Sequence, residues 1–448
     1  MQPGFGAPGF PPPPPTPGRR GRSVAVFCIV FSLIVGIGAI ALGFTITGGA
    51  GGTMQPAAIP SPTDGDDPKV RLDYLTAVAQ VELDDHSDAL LAGDEQGWLD
   101  VFAPSLHPDM QKQFTSLRNL EVSKYEYMIQ GTVSQLSDTQ FAFRLGVSYC
   151  FGGVIGEECS DAAIVFDTVW NDDRDGFYIS EVEDSDETGP RPWEVEEIEA
   201  VSGDKVIVAA PSHYAHQLDD ALASAENAAV NADQYAVYGE VEKYLVYLAG
   251  NAEFSRWYGL EGANMDNVVG FAMPVPYLDE QGRLTSGAYE VVMHIDRVID
   301  TDDFNSTMRH ELGHVATLNH SPTNTSQPED WWMVEGIAEV IDHDPSVDLD
   351  TYLRQRDVQA YIDEDLWDGD LEPVYNTDDG LTGSAKYGLA MYAVYYLFNE
   401  YGKDQFMDLF ERVARNGDNP DEATQAVYGV PYDDLVDECA TFIKSITD

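Results

Sequence analysis

The sequence predicts an α+β protein that follows a single membrane-spanning helix. Three observations carry this expectation. Runs that alternate apolar with polar residues, or are apolar throughout, cluster at 125–182 and again at 205–296, as strands do. Helical periodicity dominates before the first cluster and after the second. An uncharged run, VAVFCIVFSLIVGIGAIALGFTI at 24–46, stands apart near the N-terminus. Blocks of strands followed by blocks of helices suit an α+β chain rather than a repeating βαβ sheet.

Charge narrows the partners. The 448 residues hold 24 Lys+Arg against 78 Asp+Glu, a formal net charge of −54. Nucleic acid is excluded as a partner, since no basic footprint exists to displace its counterions. Hydrophobic residues make up 44% of the chain, ample for packed cores, so the acidity belongs to a self-repelling surface.

Residues 1–22 are Pro- and Gly-rich, end in Arg19, Arg20 and Arg22, and read as a disordered cytoplasmic tail. Residues 23–47 are the expected transmembrane helix. At 1.5 Å per residue the uncharged run spans roughly 35 Å, against a hydrocarbon core of about 30 Å. The arginines before it put the N-terminus in the cytoplasm and the bulk of the chain outside, in a single pass of the cell membrane. A cleaved signal peptide is the alternative. Residues 48–68 read as a flexible linker.

A first extracytoplasmic unit is expected at 69–188. Leu72, Leu75, Val78, Ala79 and Leu83 line one side of a helix at 70–92, and a short helix follows at 94–102. Strands are expected at 125–134, 140–150, 162–170 and 176–182. Cys150 and Cys159 flank a Gly-rich turn and suit a hairpin-closing disulfide in an oxidising compartment, with two buried thiols as the alternative. Cys439 reads as a buried apolar residue of the last helix. The stretches ALLAGDEQGWLDVFAP and VWNDDRDGFYISEV resemble the nuclear-transport-factor/ketosteroid-isomerase-like group, which implies a cone-shaped α+β domain. No catalytic set is visible there; His86 and Asp88 read as surface residues.

The remaining unit, 193–448, pairs strands at 205–210, 242–249, 268–275 and 289–296 with helices at 216–232, 305–318, 347–360, 385–401, 404–416 and 431–447. A further helix begins near 328–330 and carries WWMVEGIAEVI. Asn305 or Ser306 is the expected N-cap of the 305–318 helix. That helix contains His310-Glu311-Leu312-Gly313-His314, an H-E-x-x-H motif. Residues i and i+4 share a helix face, so His310 and His314 can aim two imidazoles at one Zn²⁺ with Glu311 beside them as general base. Glu335, on the next helix, is the candidate third ligand, and Glu339 one turn further can orient a ligand histidine. His320 competes for the third position: with His310 and His314 it has the spacing of metzincins, and Met333 could form their Met-turn. The glycine of that pattern is replaced by Thr317, a β-branched residue ill suited to a sharp turn.

The pair HELGHVATL and DWWMVEGIAEV resembles the gluzincin metallopeptidases, particularly the peptidase-MA-like domains, over about 195–448. The resemblance implies a sheet-plus-helix peptidase domain with zinc on His310, His314 and Glu335, Glu311 as base and Glu339 behind the ligands. Tyr387, which opens YGLAMYAVYYL, matches the tyrosine that stabilises the oxyanion in gluzincin aminopeptidases; Tyr392, Tyr395 and Tyr396 then serve packing. Gly270-Phe271-Ala272-Met273-Pro274 stands where those aminopeptidases carry an acidic residue for a free substrate amine, and lacks it, so endopeptidase activity is favoured. His294 and His343 read as structural or surface histidines. The expected function is thus a membrane-anchored extracytoplasmic zinc metallopeptidase acting on a peptide or protein. A catalytically inert scaffold with a peptidase-like fold is the alternative from another class, and a protease acting on its membrane neighbours is a further one.

Overall fold

The structure, a computed structural model, describes residues 67–154, 162–173, 176–183, 189–260, 268–278, 284–285, 287–321, 329–344, 351–375 and 377–447, with residues 27, 28, 62 and 349 besides. The tail, nearly all of the expected transmembrane helix and linker, and Cys159 lie outside the described residues; the two described residues of that expected helix, Phe27 and Cys28, form a strand paired with Val268 and Gly270 instead. Among those described, no helix is long and apolar enough to cross a membrane.

The chain is α+β. After a two-residue strand β1 (Phe27–Cys28), the first unit opens with α1 (Pro68–Ala92), α2 (Glu95–Asp100) and α3 (His107–Asn119). It continues as an antiparallel meander of β2 (Lys124–Gln135), β3 (Gln140–Cys150), β4 (Ala162–Asp173) and β5 (Gly176–Val182). Local chemistry sets the helix ends. Asp67 accepts from the Lys69 N–H ahead of Pro68, and Gly93 ends α1 at φ 75°. Asp94 then caps α2 through the Gly97 N–H. Leu75, Ala79, Leu83 and Leu90 form the buried face of α1. The helix α3 has no counterpart in the sequence expectation.

The second unit is built on α4 (Pro192–Val195), β6 (Ile198–Ser202), β7 (Val206–Pro211), α5 (Leu218–Ala232), β8 (Tyr244–Ala249), α6 (Asn251–Phe254), β9 (Val268–Pro274), the small pair β10 (Tyr277–Leu278) and β11 (Leu284–Thr285), and β12 (Tyr289–His294). Its sheet has the order β1-β9-β12-β8-β7-β6. It is mixed: β7, β8 and β12 run parallel, β9 is antiparallel to β12 and parallel to β1, and β6 is antiparallel to β7. The helical half follows as α7 (Thr301–Leu318), α8 (Trp331–His343), α9 (Gln355–Asp363), α10 (Gly380–Glu400), α11 (Lys403–Phe410), α12 (Pro420–Val427) and α13 (Tyr432–Thr447).

Strands β7, β8 and β12 are apolar along nearly their whole length because both faces of the sheet are covered. Val208, Val246, Leu248, Val291 and Met293 pack with α5, α7 and α8 in one core. Ile207, Tyr247, Phe271, Met273 and Val292 belong to the other core, shared with the first unit. Strand alternation sends neighbours along each strand to opposite cores. Glu290 falls on the face toward the first unit. It accepts from Tyr149 Oη at 3.3 Å and Tyr258 Oη at 2.5 Å, and the Arg191 guanidinium lies 4.9 Å over the Tyr258 ring. Burial pushes the Glu290 carboxyl above the usual carboxylate range, against the pull of Arg191.

Several expectations need correction. His86 is not a surface residue: it is buried and stacked on Trp98, with ring centroids 3.7 Å apart, because the inner face of α1 supplies part of the aromatic core. Asp88 is exposed, as expected. Asp300, not Asn305 or Ser306, caps α7, with its side chain accepting from the Asp302 and Asp303 N–H groups at 3.1 Å each. Asn305 and Ser306 instead lie inside the helix, bonded to Ser224 and Asp342. The 347–360 helix begins only at Gln355, since Tyr352 and Arg354 are drawn inward onto Glu339. The 404–416 helix changes to a π turn at Glu411–Arg415, which carries Arg415 to the end of α7. Cys439 is a buried free thiol of α13.

Candidate metal centre

Helix α7 runs one turn further back than its apolar pattern suggests and is fixed at both ends. Arg415 Nη1 donates to the carbonyls of Thr317, at 2.7 Å, and Asn319, at 3.0 Å, where the helix leaves carbonyls unsatisfied. Helix α8 crosses close to α10 at Gly336, where a Cβ would lie 2.4 Å from the Ala390 carbonyl oxygen. That approach holds Glu335, the preceding residue, against α7.

The result is a convergence of three buried donors. His314 Nε2 lies 3.0 Å from His310 Nε2. Glu335 Oε2 lies 3.2 Å from the first imidazole and 3.3 Å from the second. Two ring nitrogens this close must share a proton or a metal. Ligand atoms about 2.0–2.1 Å from a tetrahedral zinc stand about 3.3 Å apart, so the donor triangle already has nearly that edge. His310, His314 and Glu335 are also the one such group of metal-capable side chains found among the described residues. The donor set fits zinc: two imidazoles and one carboxylate, with a fourth position left for water.

Electrostatics around the triangle agree with a site for a cation. Burial opposes charge on His310, yet its hydrogen bond to Glu335 and the carboxylates of Glu311 and Glu339 hold its pKa at about 9. Burial lowers that of His314. Burial also works against an ionised Glu335, but the two histidines outweigh it and draw its pKa down. Behind the ligands, Glu339 Oε1 lies 3.7 Å from His310 Nδ1. Burial notwithstanding, Arg354 and His310 hold Glu339 ionised, with a pKa of about 2. At 3.7 Å the Glu339–His310 approach is an ion-pair contact and not a hydrogen bond, in the position from which a carboxylate could orient His310 as a metal ligand.

Glu311 is fully buried, next to His310 on α7. A Cβ at Gly270 would stand 3.1 Å from Glu311 Cγ and 2.8 Å from Thr307 Cγ2. The absence of a side chain at Gly270 thus lets strand β9 pass directly over Glu311. Tyr387, on α10, is buried with its ring centroid 6.3 Å from that of His310 and 5.2 Å from that of Trp331. The structure therefore brings His310, Glu311, His314, Glu335, Glu339 and Tyr387 into one cluster.

The competing ligand does not join it. Thr317 sits inside α7 with its hydroxyl donating to the Gly313 carbonyl at 2.8 Å, so the helix does not turn there. His320 lies beyond the helix end, exposed, at φ 54°. Met333 is a buried interior residue of α8, not part of a turn. His294 is buried in β12, its Nδ1 3.1 Å from the Val268 carbonyl and its ring stacked on Phe254. His343 ends α8 with Nδ1 2.9 Å from the Glu339 carbonyl. Tyr392 packs on Tyr352, and Tyr395 and Tyr396 on Phe442.

Arg354, Tyr352 and Arg415 are site-supporting residues that sequence reasoning missed. No spacing rule ties them to the motif: Tyr352 and Arg354 lie in the turn before α9, and Arg415 ends the π turn that continues α11. In comparisons with known proteins, no family model matches the chain and no curated protein matches it.

Proposed function

We propose that the chain is a membrane-anchored extracytoplasmic zinc metallopeptidase of the gluzincin type, with an endopeptidase preference. The observation that carries this reading is the buried triangle of His310, His314 and Glu335 with Glu311 adjoining it. A zinc ion held by His310, His314 and Glu335 would supply Lewis acidity and make a water easier to deprotonate. Glu311 would take a proton from the attacking water as its oxygen bonds to the carbonyl carbon, and return it to the leaving amine as the peptide C–N bond breaks. Tyr387 donates a hydrogen bond to the oxyanion that forms at the substrate carbonyl. Gly270 of strand β9 leaves room for Glu311 beside it, and the β9 edge at that point is taken by β1, with Cys28 paired to Gly270. The first unit is read as a nuclear-transport-factor-like domain, the 23–47 run as its membrane anchor, and Cys150–Cys159 as a disulfide.

The test is metal analysis and cleavage of a peptide library by the full chain and its Glu311→Gln variant. One zinc per chain is expected in both, with cleavage reduced by about 10²–10⁴-fold or more in the variant. A wild-type chain that holds no zinc would overturn the reading. A chain that holds zinc and cleaves nothing would instead be the inert scaffold.

A further inference from the structure

We propose that Arg354 is a positioning residue that couples the metal side of the site to Tyr387. The inference rests on the zinc-peptidase reading and extends it to a residue outside its motifs. Arg354 is only 6% exposed, and a guanidinium is tolerated at such burial when its charge and donors are satisfied. Here the satisfaction is directed. Nε and Nη2 both donate to a single oxygen, Glu339 Oε1, at 3.1 and 3.0 Å. That same oxygen faces His310 Nδ1 at 3.7 Å. Tyr352 Oη fills the other oxygen of Glu339 at 2.7 Å. The carboxylate behind His310 is therefore fixed from two sides by residues of one short segment.

The other face of the guanidinium is equally occupied. Its carbon lies 5.0 Å from the centre of the Tyr387 ring, a cation–π distance. The Trp331 ring meets the same tyrosine edge to face at 5.2 Å. Arg354 thus touches the carboxylate that orients a ligand and the ring that bears the oxyanion donor. The backbone is shaped for this. At Gly388, beside Tyr387, a Cβ would lie 2.4 Å from Val358 Cγ2 and 3.3 Å from Arg354 Cβ, so the missing side chain is what lets this segment seat on α10.

Lysine cannot reproduce the arrangement, because its ammonium has a single nitrogen and no planar face, whereas the guanidinium lays a face on a ring while two of its nitrogens grip one oxygen. The experiment compares Arg354→Met and Arg354→Lys in the full chain, with Glu339→Gln and the Glu339→Gln/Arg354→Met pair. Zinc affinity is read by chelator competition and turnover by kcat and KM. In Arg354→Met, zinc affinity is expected to fall about 10–100-fold, as for loss of an outer partner of a ligand. Because Arg354 reaches the metal through Glu339, the pair should lose no more zinc affinity than Glu339→Gln alone. Arg354→Lys keeps a buried cation and serves if the methionine variant does not fold. It is expected to lower kcat by about 10-fold with KM unchanged, since the ring contact supports the transition state and not ground-state binding. Zinc affinity and kcat within twofold of wild type in both arginine variants would overturn the proposal while leaving the peptidase reading intact. Additive zinc losses in the pair would also overturn it. A wild-type chain without zinc overturns the peptidase reading itself, and this inference with it.

Discussion

Gly336→Ala tests whether the approach of two helices sets the metal site. The added Cβ would stand 2.4 Å from the Ala390 carbonyl oxygen and 2.7 Å from Val394 Cγ2. Real Cβ atoms essentially never come within 3.0 Å of another heavy atom, so α8 must retreat from α10 by at least about 0.6 Å. A backbone carbonyl inside a helix cannot rotate away, so the displacement falls on α8 and on Glu335 next to the new methyl. Metal–ligand distances tolerate only about 0.2 Å. Overpacking of this kind costs about 1–3 kcal/mol, offset in part by about 0.5–1 kcal/mol from the better helix propensity of alanine. The expected result is a net loss of about 1–2 kcal/mol in denaturant unfolding with chelator present, and a zinc affinity lowered about 10-fold or more. Gly313→Ala is the matched control. It also neighbours a ligand, His314, but its Cβ would meet the tip of Ile341, Cδ1 at 3.2 Å, which can swing aside. That variant should be neutral or slightly stabilised and keep its zinc. Wild-type stability and zinc affinity in Gly336→Ala, or equal damage from both alanines, would refute the reasoning.

Other outcomes follow from the same geometry. Chelation should lower the melting temperature, since at a free zinc concentration of 100 Kd the ion stabilises the fold by about 2.7 kcal/mol, and Glu335→Ala should abolish the zinc-dependent shift seen by calorimetry. Burial lowers the pKa of His86 from 6.5 to about 3, so the native state binds fewer protons than the unfolded chain between those values. Its contribution to stability is complete above pH 6.5 and is lost as pH falls toward 3, by up to about 1.4 kcal/mol per pH unit. His86→Phe, which keeps an aromatic ring against Trp98, should therefore shift acid unfolding followed by fluorescence to lower pH; superimposable acid transitions would refute this.

How much was legible depended on whether the determining contact was local. The ends of α1 and α2 follow from Asp67, Pro68, Gly93 and Asp94, all within a turn of what they cap. The His310/His314 pair follows from helix geometry, and Glu335 from the next helix of the same motif pair. The N-cap of α7 was misplaced because the helix reads as beginning where its apolar pattern begins, while Asp300 begins it in an exposed acidic turn. His86 was misjudged because a lone histidine carries no sign of its neighbours, and its partners come from α2 (Trp98), the bridge residue just after it (Phe102) and β2 (Tyr127). Arg354 and Arg415 were invisible for a related reason. Arg354 lies in the turn before α9 and Arg415 at the end of the π turn after α11, and the partners that hold them, Glu339 and the carbonyl of Thr317, are set by tertiary packing.

The same distinction bears on what the first unit is for. Strand β9 has one face on each core. Phe271 and Met273 pack toward the first unit, while Gly270 abuts Glu311 on the other side. Strand β12 repeats the pattern, with Val291 and Met293 on the helical core and Glu290 and Val292 turned toward the first unit. Removing residues 69–188 would take Tyr149 and Phe151 out of the core that also holds Ile207 and Val292 and would deprive Glu290 of its bond from Tyr149, while Tyr247 and Phe271 would keep Trp257, Phe254 and Tyr258 of their own unit against them. A sheet that is apolar on both faces cannot present one of them to water without association or unfolding. The first unit therefore covers part of the sheet face opposite the candidate metal centre.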